Sequence, residues 1–98
     1  MTANARTREN AYYAAKRRTD LVLLLAPDLR CQNLECLRLV EDTTELEIDH
    51  VNGRSWNLRK LSSSARVARY WREYKAGIKL RVLCSLCNAT DGGHRRHQ

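Results

Sequence analysis

Long apolar runs, an export signal and internal repeats are all missing from this chain, and acidic residues are nearly missing from one stretch of it. The longest continuous apolar segment, "LVLLLA" at 21–26, is six residues long and ends at Pro27, the single proline. That is far short of the roughly 18–20 residues that cross a bilayer, so no membrane partner is expected. The opening "MTANARTREN" is polar and lacks the basic, apolar, small-residue order of an export signal, so the chain reads as intracellular. Between residues 54 and 81 there is one acid, Glu73, against nine Lys or Arg.

That last scarcity turns attention to what is present. The formal net charge of +7 is unevenly spread: residues 28–50 carry seven acids against two bases, the reverse of the stretch that follows. A concentrated cationic region suits a polyanion, because each phosphate neutralised by Lys or Arg releases condensed counterions. The alternative is a solvated helix face. With 98 residues there is room for one domain and one small core, a size at which a metal or another staple often supplies the missing stability. Four cysteines are available for that role.

Local patterns predict a helix over 6–25, rich in Ala, Leu, Arg and Lys and stopped by Pro27. Tyr12, Ala15, Thr19, Val22 and Leu23 would form its packing face, leaving Arg17 and Arg18 to touch a ligand. In "CQNLECLRLVEDTTELEIDH", Leu37 and Leu39, a polar "EDTT", then Leu46 and Ile48 predict a small β-hairpin arriving at Asp49 and His50. Asn52-Gly53 marks a tight turn. Ser62 to Ser64 offer N-caps for a second helix reaching about Ala76 and stopped by Gly77. Val67, Tyr70, Trp71 and Tyr74 would be its core face, and Arg66, Arg69 and Arg72 lie three apart elsewhere on it. "IKLRVLC" at 78–84 alternates as a strand.

The cysteines fall in two close pairs, Cys31-x4-Cys36 and Cys84-x2-Cys87. In a reducing compartment such pairs read as metal ligands rather than disulfides, and four thiolates suit one tetrahedral zinc; a reactive dithiol is the other reading. A site closed by four cysteines has no open position for a substrate, so the metal would hold the fold and leave the chemistry to neighbours. Those neighbours are Asp49 and His50 at the end of the proposed hairpin, and Asn88 directly after the last cysteine. Asp and Asn oxygens suit a hard cation such as Mg²⁺, and a histidine can take a proton from an attacking water.

"LEIDHVNG" followed by "VLCSLCNATDGG" resembles the HNH, or ββα-metal, nucleases, and within them the endonuclease VII type of phage recombination nucleases. The resemblance covers roughly residues 31–93 and rests on the four cysteines, "IDH", and "LCSLCN" with "DGG". It implies an α+β fold: a small zinc-stabilised ββα-metal domain, preceded by an N-terminal helix at 1–27 and interrupted by a helical basic insertion at about 54–76, with a basic tail at 94–98. It also implies that His50 is the general base and that Asp49 and Asn88 ligate a catalytic Mg²⁺ or Mn²⁺. Asp91 would tune or complete that site, and Cys31, Cys36, Cys84 and Cys87 would bind structural zinc. The implied activity is a divalent-metal-dependent DNA endonuclease, junction-resolving or nicking, that leaves 5′-phosphate and 3′-hydroxyl ends; a weak or inactive zinc module binding nucleic acid or a protein is the alternative. Its place would be the cytoplasm of a bacterial host or phage-infected cell.

The chain departs from the family pattern in three ways. An Asn stands at 88 where many HNH proteins have His, as the endonuclease VII type permits. The middle Asn that braces the loop carrying the base is replaced by Ile78 or Lys79, leaving Asn52 or Asn57 as candidate braces. The first cysteine pair is wider than in the endonuclease VII type, and about twenty extra residues precede the second. That insertion supplies Arg54, Arg59, Lys60, Arg66, Arg69, Arg72 and Lys75, a candidate clamp for branched or nicked DNA. Arg95 and Arg96 in "GGHRRHQ" could touch backbone phosphate, and His94 and His97 read as parts of a basic tail. A junction resolver needs two active sites, so a homodimer through the "LVLLL" helix, or a larger phage protein complex, is expected.

Overall fold

The computed structural model describes residues 3–89, which form a small α+β domain around a two-stranded sheet. Helix α1 (Ala3–Leu25) leads into a knuckle of irregular chain that carries Cys31 and Cys36. Strand β1 (Leu46–His50), helix α2 (Ser63–Lys75), strand β2 (Leu80–Cys84) and a single turn of helix, α3 (Ser85–Cys87), complete it. No helix among the described residues is long and apolar enough to cross a membrane. Asp91, His94, Arg95, Arg96 and His97 lie outside the described residues.

Helix α1 ends where Pro27 requires it to. Proline has no N–H for the helix ladder and disfavours helical geometry in the residue before it, and the last helical bond runs from the Ala26 N–H to the Val22 carbonyl (2.8 Å). The buried stripe differs from the predicted one. Ala14, Leu21 and Val22 are buried with Arg18 and Leu25 half-buried, whereas Tyr12 is 65 % exposed and Leu23 41 %. The cause is Arg18: its guanidinium donates to the backbone carbonyls of Thr43 and Leu46, so a residue that counts as polar in a periodicity reading occupies an inward position along its apolar stem. Of the "LVLLL" run, Leu21 and Val22 therefore belong to the core, and Leu23 and Leu24 face outward.

The predicted hairpin within 31–49 does not form. Leu39 makes an isolated bridge to Arg30 and is 60 % exposed, and β1 pairs instead with β2, antiparallel, in the register Leu46↔Cys84 through His50↔Leu80. "EDTT" is the start of a helical turn rather than a hairpin bend. Asp42 caps a 3-10 turn at Thr43–Glu45, accepting from the Thr44 N–H (2.7 Å), while Glu45 accepts back from the Asp42 N–H (3.2 Å). The Thr44 hydrogen bond holds the Asp42 carboxyl below its ordinary pKa.

A two-stranded sheet is marginal without a covering layer. Here Val22 and Ala26 of the first segment, Val40, Leu46 and Val82 form one buried cluster, joined by Leu25, Leu29 and Ile48. Leu83, Cys31 and Cys84 form a second, with Cys87 at its margin. Gln32 ties the knuckle to the sheet: its N–H donates to the Val82 carbonyl (2.9 Å), its side-chain oxygen accepts from the Val82 N–H (2.9 Å), and its amide donates to the Leu25 carbonyl (2.6 Å).

Helix α2 follows the predicted signals closely. Ser62 accepts from the Ala65 N–H (3.2 Å), and Gly77, at φ +85, ends the helix in the left-handed region with its N–H on the Tyr74 carbonyl (3.1 Å). Val67 and Tyr70 are buried as expected, but the third buried residue is Glu73, and Tyr74 is 39 % exposed. The Trp71 indole donates to the Arg17 carbonyl (3.0 Å), fixing α2 against α1.

Candidate metal centre and the His50 site

The sheet register explains how cysteines far apart in sequence meet. Leu46 lies opposite Cys84, Gln32 lies beside Val82, and the knuckle closes through Cys31 N–H to the Arg38 carbonyl (2.8 Å) and Cys36 N–H to the Asn33 carbonyl (2.8 Å). The four sulfurs of Cys31, Cys36, Cys84 and Cys87 all lie within 4.8 Å of one another. A tetrahedral zinc with bonds of about 2.3 Å spaces its sulfurs about 3.8 Å apart, so this donor set fits such an ion after small side-chain adjustments.

Electrostatics in the cluster agree with a metal site. Burial opposes ionisation of Cys84, but hydrogen bonds from the Cys87 amide and the neighbouring thiols win and lower its pKa to about 7. Burial and the Cys84 neighbour push Cys87 up to about 12. Zinc takes the deprotonated thiolate, so its uptake should weaken as pH falls. The Asn33 amide lies 3.5 Å from the Cys87 sulfur and acts as a donor to it. The four cysteines therefore form a cluster suited to structural zinc.

Asp49 and His50 end β1, and Asn88 follows α3. Among the described residues, the cysteines are the group of three or more Cys, His, Asp or Glu side chains close enough to share an ion. Asp49 accepts from Arg81 Nε (3.0 Å), its cross-strand partner. Asn88 donates to Glu47 Oε2 (3.0 Å). Glu47 and Asp49 are two apart on β1 and project from the same side of the sheet, so Glu47 joins the oxygen donors around Asn88. Beside that contact is a cavity of about 280 Å³, walled in part by Arg18, Arg54, Arg66 and Tyr70. Burial raises the Tyr70 hydroxyl pKa, against the nearby cations of Arg54, Arg18 and Arg66.

His50 is 4 % exposed, set among Trp56, Tyr70 and Glu73. Its Nε2 lies 2.9 Å from Glu73 Oε1, and the Trp56 indole donates to both Glu73 oxygens at 3.2 Å. The imidazole sits against Trp56, edge on, and Tyr70, each with ring centroids 5.7 Å away. Neither candidate brace takes that place. Asn57 is occupied as an N-cap, accepting from the Arg59 N–H (2.9 Å), and Asn52 is exposed in the turn where the Gly53 N–H meets the His50 carbonyl (3.1 Å). Sequence reasoning missed Glu73. Its signal was present: the single acid within the most basic stretch, three residues from Tyr70 on the helix face that also carries Val67.

The cations between residues 54 and 75 divide by environment. Arg66 Nε donates to the Leu58 and Leu61 carbonyls (2.8 and 3.0 Å), and Arg54 Nε to the Trp56 carbonyl (2.7 Å), so both hold the loop together. Arg54 and Arg69 stack over the Trp56 ring at 5.4 and 5.5 Å. Arg59, Lys60, Arg72 and Lys75 are exposed, and Arg72, Lys75, Arg69 and Arg17 border a shallow cleft between α1 and α2. No family profile, curated protein or solved structure matches the chain.

Proposed function

We propose that this protein is a divalent-metal-dependent DNA endonuclease of the HNH type, with structural zinc in the four-cysteine cluster. The observation that carries the reading is the pairing of β1 with β2, which sets the strand ending in Asp49 and His50 beside the strand that delivers Cys84, Cys87 and Asn88. Glu47, Asp49 and Asn88 supply hard oxygen donors of the type Mg²⁺ or Mn²⁺ takes, with Asn88 bonded to Glu47. When bound, such an ion supplies charge stabilisation at the phosphate and at the departing 3′ oxygen. His50 takes the proton of the attacking water. Arg81, paired with Asp49, holds that carboxylate in place. Asp91 is proposed to complete the site, and a branched or nicked duplex in a bacterial or phage-infected cytoplasm is the proposed substrate.

The exposed cations bordering the α1–α2 cleft would carry the DNA backbone, together with Arg59 and Lys60 and, in the tail, Arg95 and Arg96. Replacing Arg17, Arg72 and Lys75 together by alanine should weaken DNA binding and flatten the slope of log affinity against log salt by roughly 0.9 for each phosphate left unneutralised. The Trp71 bond is to the Arg17 backbone carbonyl and survives the change. Fluorescence anisotropy over a salt series measures this, and an unchanged slope returns the surface to a solvated face. Arg66 is unsuitable for that test, because its removal would release two loop carbonyls.

A zinc module that binds nucleic acid without cutting it is the second reading. The Asp49–Arg81 ion pair and the burial of His50 favour it. Purified zinc-loaded protein with supercoiled plasmid and a four-way junction, in Mg²⁺ or Mn²⁺, separates the two. Nicked or resolved product is expected; binding with no cleavage in either metal selects the module.

A further inference from the structure

We propose that the cavity walled by Arg18, Arg54, Arg66 and Tyr70 is a pocket for one phosphate group of a nucleic acid, bound by the three guanidinium forks and the tyrosine hydroxyl. The proposal concerns binding alone and holds whether or not the chain cuts DNA. Tyr70 is the observation that carries it. Its side chain lines the cavity and the residue is 8 % exposed, yet among the described residues no protein group hydrogen-bonds to its hydroxyl. Buried polar groups are ordinarily paired, so a hydroxyl left over at a cavity wall points to a ligand that pairs with it. Burial raises the pKa of that hydroxyl, although Arg54, Arg18 and Arg66 lie close enough to oppose the rise, so the phenol keeps its proton and can donate.

The charge around it has the matching sign. Each arginine is anchored by neutral groups: Arg18 by the carbonyls of Thr43 and Leu46, Arg54 Nε by the Trp56 carbonyl (2.7 Å), and Arg66 Nε by the Leu58 and Leu61 carbonyls (2.8 and 3.0 Å). Those bonds fix the forks in place and leave their charge uncompensated, because none of the three joins an ion pair among the described residues. Glu47, which accepts from Asn88, sets one negative charge in the wall against three positive ones. A phosphate offers several acceptor oxygens in the geometry that guanidinium forks match. At about 280 Å³ the cavity lies at the lower edge of the roughly 300–1,000 Å³ of small-molecule sites, which suits a phosphate with its adjoining sugar. The basic stretch that supplies two of the three forks makes nucleic acid the source.

Titration of the zinc-loaded full chain with inorganic phosphate, without added Mg²⁺ or Mn²⁺, tests this. The Nε–H resonances of Arg54 and Arg66 in ¹⁵N correlation spectra should shift along one saturable curve. Tyr70→Phe, which removes the hydroxyl and keeps the ring, should raise the phosphate Kd about tenfold with a retained cooperative melt, while replacing Arg17, Arg72 and Lys75 by alanine should leave it within about twofold. Nicked duplexes with a 5′-phosphate or a 5′-hydroxyl at the nick then distinguish the source. A loss of affinity in Tyr70→Phe confined to the phosphorylated nick assigns the pocket to a terminal phosphomonoester, and an equal loss on both assigns it to an internal phosphodiester. No saturable shift at Arg54 and Arg66, or a folded Tyr70→Phe protein that binds inorganic phosphate and both duplexes as the wild type does, overturns the pocket. A loss toward inorganic phosphate alone overturns the assignment to nucleic acid. If Tyr70→Phe does not fold, the wild-type titration decides by itself. No readout here needs cleavage, so this proposal and the nuclease reading fail separately.

Discussion

Cys84→Ser is expected to leave the purified chain without zinc and without a cooperative melting transition, where the wild type carries about one zinc and folds. The size of this effect follows from how little else holds the domain together. Strands β1 and β2 form a two-stranded pair, and among the described residues the largest fully buried side chains are Leu21, Leu46, Leu83, Val22 and Val82 beside two of the cysteines. A core of that size yields only a few kcal/mol of net stability. Structural zinc in small domains contributes an apparent ~10–16 kcal/mol near neutral pH, most of which the fold would lose with one ligand. Cys84 is also the last residue of β2, opposite Leu46, so its replacement loosens the sheet as well as the cluster. Chelation of the wild type should reproduce the variant, with loss of the helical signal in circular dichroism. A Cys84→Ser protein that melts cooperatively, zinc-free, near the wild-type temperature would defeat the structural-zinc assignment.

His50→Ala is the second large effect, and its target is cleavage rather than folding. Removal of a positioned general base typically costs about 10²–10⁴-fold in rate. Plasmid nicking should fall into that range while DNA affinity, carried by cations on another face, changes little. The substitution also removes one of the two partners of buried Glu73, at a cost of roughly 1–3 kcal/mol, so the melting temperature should drop without loss of the folded state. The two readouts separate chemistry from packing: a destabilised protein that still cuts at the wild-type rate would remove His50 from the chemistry.

Features legible in the sequence were those written in local chemistry. The cysteine spacings point to a metal cluster, the serines and Gly77 mark the ends of α2 to within a residue, and Pro27 marks the end of α1. Features that misled depend on partners distant in the chain. Alternation around Leu37 and Leu39 suggests a strand, but a strand needs a neighbour, and the edge that β1 offers is taken by β2 some thirty residues later. Arg18 reads as surface because its charge is visible in sequence and the carbonyls it meets, on Thr43 and Leu46, are not. Asn57 looked available as a brace and is consumed by its own turn.

By itself the sequence determined the paired thiols suited to a metal, the end of α1, both ends of α2 and the cationic stretch at 54–81, because each depends on residue type and on spacing along a few turns of chain. The tertiary structure alone decided which acid stands where. Asp49 goes to Arg81, Asn88 to Glu47, and Glu73 to His50, because antiparallel register and the packing of α2 bring together groups 23 to 41 residues apart. Buried polar groups must find partners within hydrogen-bond reach, and that requirement is met in space, not along the chain.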